Sequence, residues 1–233
     1  MLTVALETGG ELGSVALGRD GELVAESLLS VRATHSETVM PELDRLLAGA
    51  GRERGEIDAV VVGAGPGSFT GVRIAASLGK GLCFGRDRPL FAFSSLLAAA
   101  ASTGLEEKVV ACFDARREEV YAAAYRTVAP TGAGVGPEVT EVDELVDRLP
   151  GGAGAWAWAG SGARRHRQRI EAAGGRVLPA HVGAPRASSL LWLARRHPDA
   201  GRVEEPATWE PDYVRRSSAR RGAGGGADGG TGG

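Results

Sequence analysis

"GAGPGSFTGVR" occupies residues 63–73, between the apolar, β-branched run "IDAVVV" and the stretch "IAASLGKGLCF". A strand that runs into a glycine-rich turn and then a helix is a place where proteins bind phosphate. The first N–H groups of the helix lack intrahelical partners and point outward. The stretch fits neither common phosphate loop. No Gly-Lys-Ser/Thr closes it. Pro66 and Phe69 interrupt the dinucleotide fingerprint, and no acidic residue ends the next strand. Gly65 and Gly67 permit a positive φ or close backbone approach, and Ser68 is placed as an N-cap. A tight structural turn and an anion site both remain compatible with these residues.

Upstream, "LTVAL", "GSVALG" and "ELVAESLL" read as a three-stranded meander, with a tight turn at residues 19–21. Residues 34–50 then read as a helix. Thr34 and Glu37 fit a capping box and Gly51 a stop. Val39, Leu43, Leu46, Leu47 and Ala50 recur at helical spacing, and Pro41 predicts a local kink. "IDAVVVG" is continuously apolar, as in a strand covered on both faces. A helix over 69–84, the strand "PLFAFS" and a short helix "SLLAAAAST" complete a β-β-β-α-β-α-β-α unit over residues 1–105, an α/β mixed sheet flanked by helices. "KVVACFDARREEVYAAAY" repeats the pattern of "LTVALETGGELGSVAL", with Asp114 in the place of Glu7, and so predicts a second lobe over 106–216. There "VAPTGAGVGP" reads as a loop, "VTEVDELVDRLP" as a short helix, "AWAWAGSGARRHRQRIEAAG" as strand, turn and helix, and 188–197 as a further helix. Residues 217–233 read as a glycine-rich disordered tail.

The chain has 233 residues and a net charge of −2. It therefore lacks the global basic surplus of a protein that grips nucleic acid by itself; residues 215–221 are only locally basic. No apolar run reaches the roughly 18 residues of a membrane span, and the first residues are too acidic for a signal peptide. A cytoplasmic protein is expected. Cys83 and Cys112 lie in apolar runs and read as buried, reduced thiols. His35, His166, His181 and His197 are scattered without metal-ligand spacing, which favours surface or capping roles. Gly71, Ala75 and Gly79 form a stripe without bulk, flanked by Val72 and Ala76, suited to close approach of another surface. That surface is internal or a partner's.

The motifs "HSETVMPELDRLL", "GPGSFTGVRI", "DARREEVYAAAY" and "EPDYVRR", in this order, closely resemble the bacterial TsaB family, also called YeaZ, over residues 1–216. The resemblance rests on the loop residues Gly65, Pro66, Gly67, Ser68, Phe69, Thr70, Gly71 and Arg73, and on Asp114, Arg116 and Tyr121 in the second lobe. It implies a two-lobed fold of the actin, Hsp70 and sugar-kinase (RNase H-like) superfamily. It also implies a part in forming threonylcarbamoyladenosine at position 37 of tRNAs reading codons that begin with A. In that family the protein is the non-catalytic partner of TsaD, with TsaE as third member. The tRNA is met through the complex, and a weak homodimer forms when TsaD is absent. The helices over 34–50 and 68–84 are then the expected interface, through His35, Val39, Met40, Leu43, Leu47, Gly71, Val72, Ala75, Ala76 and Gly79.

The residues agree with a missing chemistry. Ser95 and Ala99 stand where the catalytic relative has metal-binding histidines, and neither replaces imidazole. Glu7, Thr8 and Gly9 keep some capacity for a cofactor, although Glu7 stands where Asp is usual. In the second turn, Arg116, Arg117, Glu118 and Glu119 replace the glycines that would close on a phosphate; a salt bridge is the simpler use of Asp114. No cofactor is required, and an adenine nucleotide is expected only within the complex. The rival reading is an independent ATP-dependent phosphotransferase of the same superfamily. A direct tRNA-binding module rests on residues 215–221 alone.

Overall fold

The computed structural model describes residues 1–30, 35–105, 107–212 and 214, with backbone only for 29–30 and 35–36. Thr34, the basic cluster and the tail lie outside the described residues. So does the side chain of His35.

The meander forms β1 (Leu2–Glu7), β2 (Leu12–Arg19) and β3 (Glu22–Ser30). It is followed by α1 (His35–Gly49), β4 (Ala59–Gly63), α2 (Phe69–Cys83), β5 (Leu90–Phe93) and α3 (Ser95–Ala101). The second lobe contains β6 (Glu107–Arg116), β7 (Glu119–Thr127), β8 (Ala133–Glu141), α4 (Val142–Arg148), β9 (Ala157–Ala159), α5 (Ser161–Arg165), α6 (Arg167–Ala172) and β10 (Arg176–Val177). The last elements are α7 (Ala187–Arg196) and β11 (Arg202–Val203). One sheet runs β11-β5-β4-β1-β2-β3 and the other β10-β9-β6-β7-β8. The second repeats the first: an antiparallel meander whose first strand pairs in parallel with a later one. Glu7 ends β1 and Asp114 lies two residues from the end of β6, the equivalent strand.

Two sheets buried on both faces explain the near-continuous apolar runs. Between the sheets, small residues line the core: Ala5, Ala16, Ala111 and Ala123 meet the alanine-rich α3 and the apolar side of α7. On the outer face of the first sheet, Val4, Leu6, Val60 and Val62 pack with Val39, Leu43 and Leu47 of α1 and Ala75 of α2. A third core covers the outer face of the second sheet, around Trp158, Leu145 and Ile170.

Three expectations are corrected. The second half of the stretch read as a loop, residues 133–137, belongs to β8, the edge strand paired with β7. Its glycines are needed where backbone meets backbone: a Cβ on Gly136, whose φ is +72°, would stand 2.3 Å from the Ala122 carbonyl oxygen. The second lobe also ends earlier than residue 216. β11 pairs with β5, the Ala92 N–H donates to the Gly201 carbonyl at 2.7 Å and the Asp212 N–H to the Ala64 carbonyl at 3.0 Å, so the chain returns to the first lobe. Finally, His166, expected at the surface or as a cap, takes the cap position between α5 and α6 but is buried, at 5% accessibility, and its side chain makes no capping hydrogen bond. Both cysteines are buried and free, as expected.

The stripe on α2 faces inward. A Cβ on Gly79 would lie 2.5 Å from Val62 Cγ1, and one on Gly71 would lie 1.9 Å from the Thr8 carbonyl oxygen. Small residues here let the helix lie close on the sheet. Gly79→Val should lower stability by about 1–3 kcal/mol, the usual cost of overpacking, whereas Gly81→Ala, with open space beside it, should not destabilise. Thermal unfolding checks this; equal melting temperatures for Gly79→Val and the native chain would contradict the close helix–sheet contact.

Candidate functional site

The loop after β4 and the turn after β1 grip each other. Ser68 caps α2, accepting from the Gly71 N–H at 3.3 Å, and its own N–H donates to the Gly9 carbonyl at 2.8 Å. The Thr8 hydroxyl donates to the Gly71 carbonyl at 2.6 Å. A Cβ on Gly67 would stand 2.3 Å from the Gly9 carbonyl oxygen. Gly67 is therefore a position of close approach, while Gly65, at φ +87°, needs the left-handed region. The Ser95 N–H donates to the Gly65 carbonyl at 2.7 Å, which ties the loop to the start of α3.

Glu7 sits at the centre of this arrangement, fully buried. Its Oε1 accepts from the Gly9 N–H at 2.7 Å, and its Oε2 from the Ser95 hydroxyl at 2.8 Å. Burial pushes its carboxyl above the usual range, and those two hydrogen bonds only partly oppose the shift. Gly63 makes the space, since a Cβ there would lie 2.0 Å from Glu7 Oε2. Sequence reasoning did not single out Gly63; the signal was a glycine ending an otherwise β-branched strand. Ser95 and Ala99, compared with the relative's histidines, are both buried. Among the described residues no group of three or more His, Cys, Asp or Glu is placed to hold a metal.

Between the lobes lies a cleft of about 690 Å³. The first lobe contributes the turn at Gly9 and Gly10 and the loop at Gly67 to Thr70; the second contributes Asp114, Arg116 and Tyr121. The motif residues of both lobes thus converge on one space. Phe69 is 57% exposed at its edge, with the Arg73 guanidinium 3.7 Å from the ring centroid. Asp114 forms the expected salt bridge, to Arg165 at 2.8 Å, and its Oδ1 accepts from the Arg116 N–H at 2.9 Å. Arg116, Arg117 and Glu118 hold φ values of +70°, +50° and +66°. The second turn thus keeps a glycine-like backbone without glycines, at a conformational cost. The cleft's volume lies within the usual range of small-molecule clefts.

The proposed interface residues do not form one outer surface. Val39, Leu43, Leu47, Gly71, Val72, Ala75, Ala76 and Gly79 are buried within the chain, and Met40 is half-buried. The outer side of α2 carries Thr70, Arg73, Ser77 and Gly81 instead, and Phe84 follows at 87% exposure. The helical period identified the stripe correctly but does not say which side of it meets the sheet.

The Glu7 carboxyl leads to a pH prediction. Its folded value is raised, so its contribution is full below the unfolded value and is lost as pH rises through the folded one. Glu7→Gln keeps the shape and stays neutral. Its melting temperature should gain on the native chain between pH 4 and pH 8, by about 2 °C or more. Parallel curves across that range would contradict a carboxyl that burial raises above its ordinary range.

A family model described as TsaD, tRNA N6-adenosine threonylcarbamoyltransferase, matches residues 24–173. The tRNA threonylcarbamoyladenosine biosynthesis protein TsaB of Haemophilus influenzae is 44% identical over 121 residues, covering 51% of each chain. The matched region thus spans about half the length of that curated relative. A Pseudomonas aeruginosa crystal structure, described as an uncharacterized protein with similarity to peptidase YEAZ, superposes with a TM-score of 0.79 at 32% identity. That match covers 92% of this chain and 99% of the other. The ethanolamine utilization protein EutJ of Carboxydothermus hydrogenoformans, 14% identical with a TM-score of 0.50 over 83% of this chain and 90% of its own, shares the fold alone. The architecture is two mixed sheets flanked by helices, and with its loop, its cleft and these matches the chain belongs to the TsaB (YeaZ) family.

Proposed function

We propose that this chain is the non-catalytic scaffold subunit of a tRNA N6-adenosine threonylcarbamoyltransferase complex. It binds TsaD and raises its activity in the cytoplasm, joins TsaE in a ternary assembly, and meets tRNA through the complex. The observation that carries the reading is Ser95: its hydroxyl is buried and donated to Glu7, in the place where the catalytic relative needs a metal-binding imidazole. The names of the curated relatives, tRNA threonylcarbamoyladenosine biosynthesis proteins, support the pathway. No helix among the described residues is long and apolar enough to cross a membrane.

Because the stripe on α2 faces the sheet, the partner face moves to the outward residues. Ser77, Gly81 and Phe84 present a small-residue surface ending in an exposed ring, and such rings are frequent anchors of interfaces. The same surface serves weak self-pairing when TsaD is absent. The cleft favours a second reading, an independent ATP-dependent phosphotransferase. On the scaffold reading an adenine nucleotide belongs there only within the complex.

The test mixes the chain with TsaD of the same organism and measures complex mass and threonylcarbamoyladenosine formation. A heterodimer and a gain in TsaD activity are expected, with no product from the chain and a threonylcarbamoyl donor alone. Ser77→Arg with Phe84→Glu should weaken pairing at least about tenfold. Product without TsaD, or ATP turnover with Mg²⁺ by the chain alone, would overturn the scaffold reading. Native pairing by the double variant would refute the face.

A further inference from the structure

Residues 164–169 read Arg-Arg-His-Arg-Gln-Arg, four guanidiniums in six positions of a chain with net charge −2. They span the end of α5, the break at His166 and the start of α6. A hollow of about 530 Å³ is lined by all six and by Glu118 of the strained β6–β7 turn. Glu118 is the one carboxylate in that lining; Arg164, Arg165 and Arg167 find further acidic partners outside it, in Glu11, Asp114 and Glu171. Glu118 holds Arg165 at 3.4 Å and Arg169 at 3.3 Å, both longer than the roughly 2.7–2.9 Å of a well-made charged hydrogen bond. His166 is 5% exposed, its Nδ1 is 4.0 Å from Glu118 Oε2, and its Nε2 has no hydrogen-bond partner among the described residues.

Each guanidinium has a carboxylate partner, and Glu118 is shared between Arg165 and Arg169. The pairs of Arg164 with Glu11, Arg165 with Asp114 and Arg167 with Glu171 are at least partly exposed, and exposed pairs of this kind contribute little, so a stronger anion can displace them. A phosphate offers several charged oxygens, and arginine's planar fork matches it with two parallel hydrogen bonds. The side chains of Arg165, Arg167 and Arg169 are 44%, 42% and 48% exposed. They lie along two short helices on an open surface, which suits an extended polyanion better than one enclosed ion. Arg164 lines both this hollow and the interlobe cleft, so the strip continues to the cleft mouth.

We propose that this surface contacts the phosphodiester backbone of RNA. That the RNA is a tRNA rests on the function proposed above; the phosphate chemistry does not. Attraction is local and independent of base sequence.

Fluorescence anisotropy of the full chain with an unmodified tRNA transcript, across a salt series, tests this. The native chain should bind with a clear salt dependence. Arg167→Gln with Arg169→Gln should bind about tenfold more weakly at 0.1 M salt and flatten the log–log salt slope by about 2. Glu118→Gln should bind more tightly with the slope retained, an outcome that a purely structural role for the arginines does not give. Thermal melting confirms that the variants fold. Unchanged binding in both variants would overturn the proposal. So would equal displacement of the transcript by polyglutamate of matched charge, which would assign the surface to an acidic protein segment. Pairing with TsaD, read in the same preparations, should not change. Loss of pairing in the native chain would fail the scaffold reading while leaving RNA binding readable.

Discussion

Two backbone segments in direct contact, the turn after β1 and the loop before α2, set the position of almost everything else that matters here. The Gly9 carbonyl receives the Ser68 N–H, and Gly67 and Gly71 leave no room for a side chain between the segments. That contact fixes where α2 starts. Gly79 then lets the helix lie flat on Val62 of β4. The Glu7 carboxyl fills the space beneath, made by Gly63 and closed by Ser95. In a packed interior such fits transmit displacement, so the outward face of α2 depends on glycines that it does not contain.

This arrangement also explains how a family motif can persist without a bound phosphate having to account for it. The loop's Gly65 carbonyl and its Ser68 and Gly71 N–H groups are taken up internally. The cleft nevertheless brings the two turns together, and in the second turn three consecutive side-chain-bearing residues hold glycine-like φ angles. The cleft and the arginine strip meet at Arg164, which places any partner of one next to the other.

Much of the fold was legible because its signals are local and periodic. The β-branched run before the loop, the capping serine and the helical spacing in α1 each placed an element, and the echo of Glu7 in Asp114 gave the second lobe. What escaped depends on tertiary contact. β8 is an edge strand rich in glycine, so its composition resembles a loop while its pairing with β7 makes it a strand. β11 has two residues and exists only because β5 offers an edge. The direction of the Gly71, Ala75 and Gly79 stripe was undetermined, since periodicity identifies a face but not what covers it. His166 was expected in a surface or capping role because the histidines are scattered without metal-ligand spacing; it does stand at the junction of α5 and α6, but the break there turns its side chain inward while the arginines stay out.

The most direct measurement of the central claim uses Gly67→Val, followed by thermal melting, pairing with TsaD and adenine-nucleotide binding to the isolated chain. A side chain at this position must push against the Gly9 carbonyl. The account predicts a melting temperature lower by several degrees, as a loss of about 1–3 kcal/mol gives, together with weaker TsaD pairing because α2 is displaced. Stability and pairing left at native levels, with nucleotide binding to the isolated chain abolished, would contradict it and make the loop a ligand site.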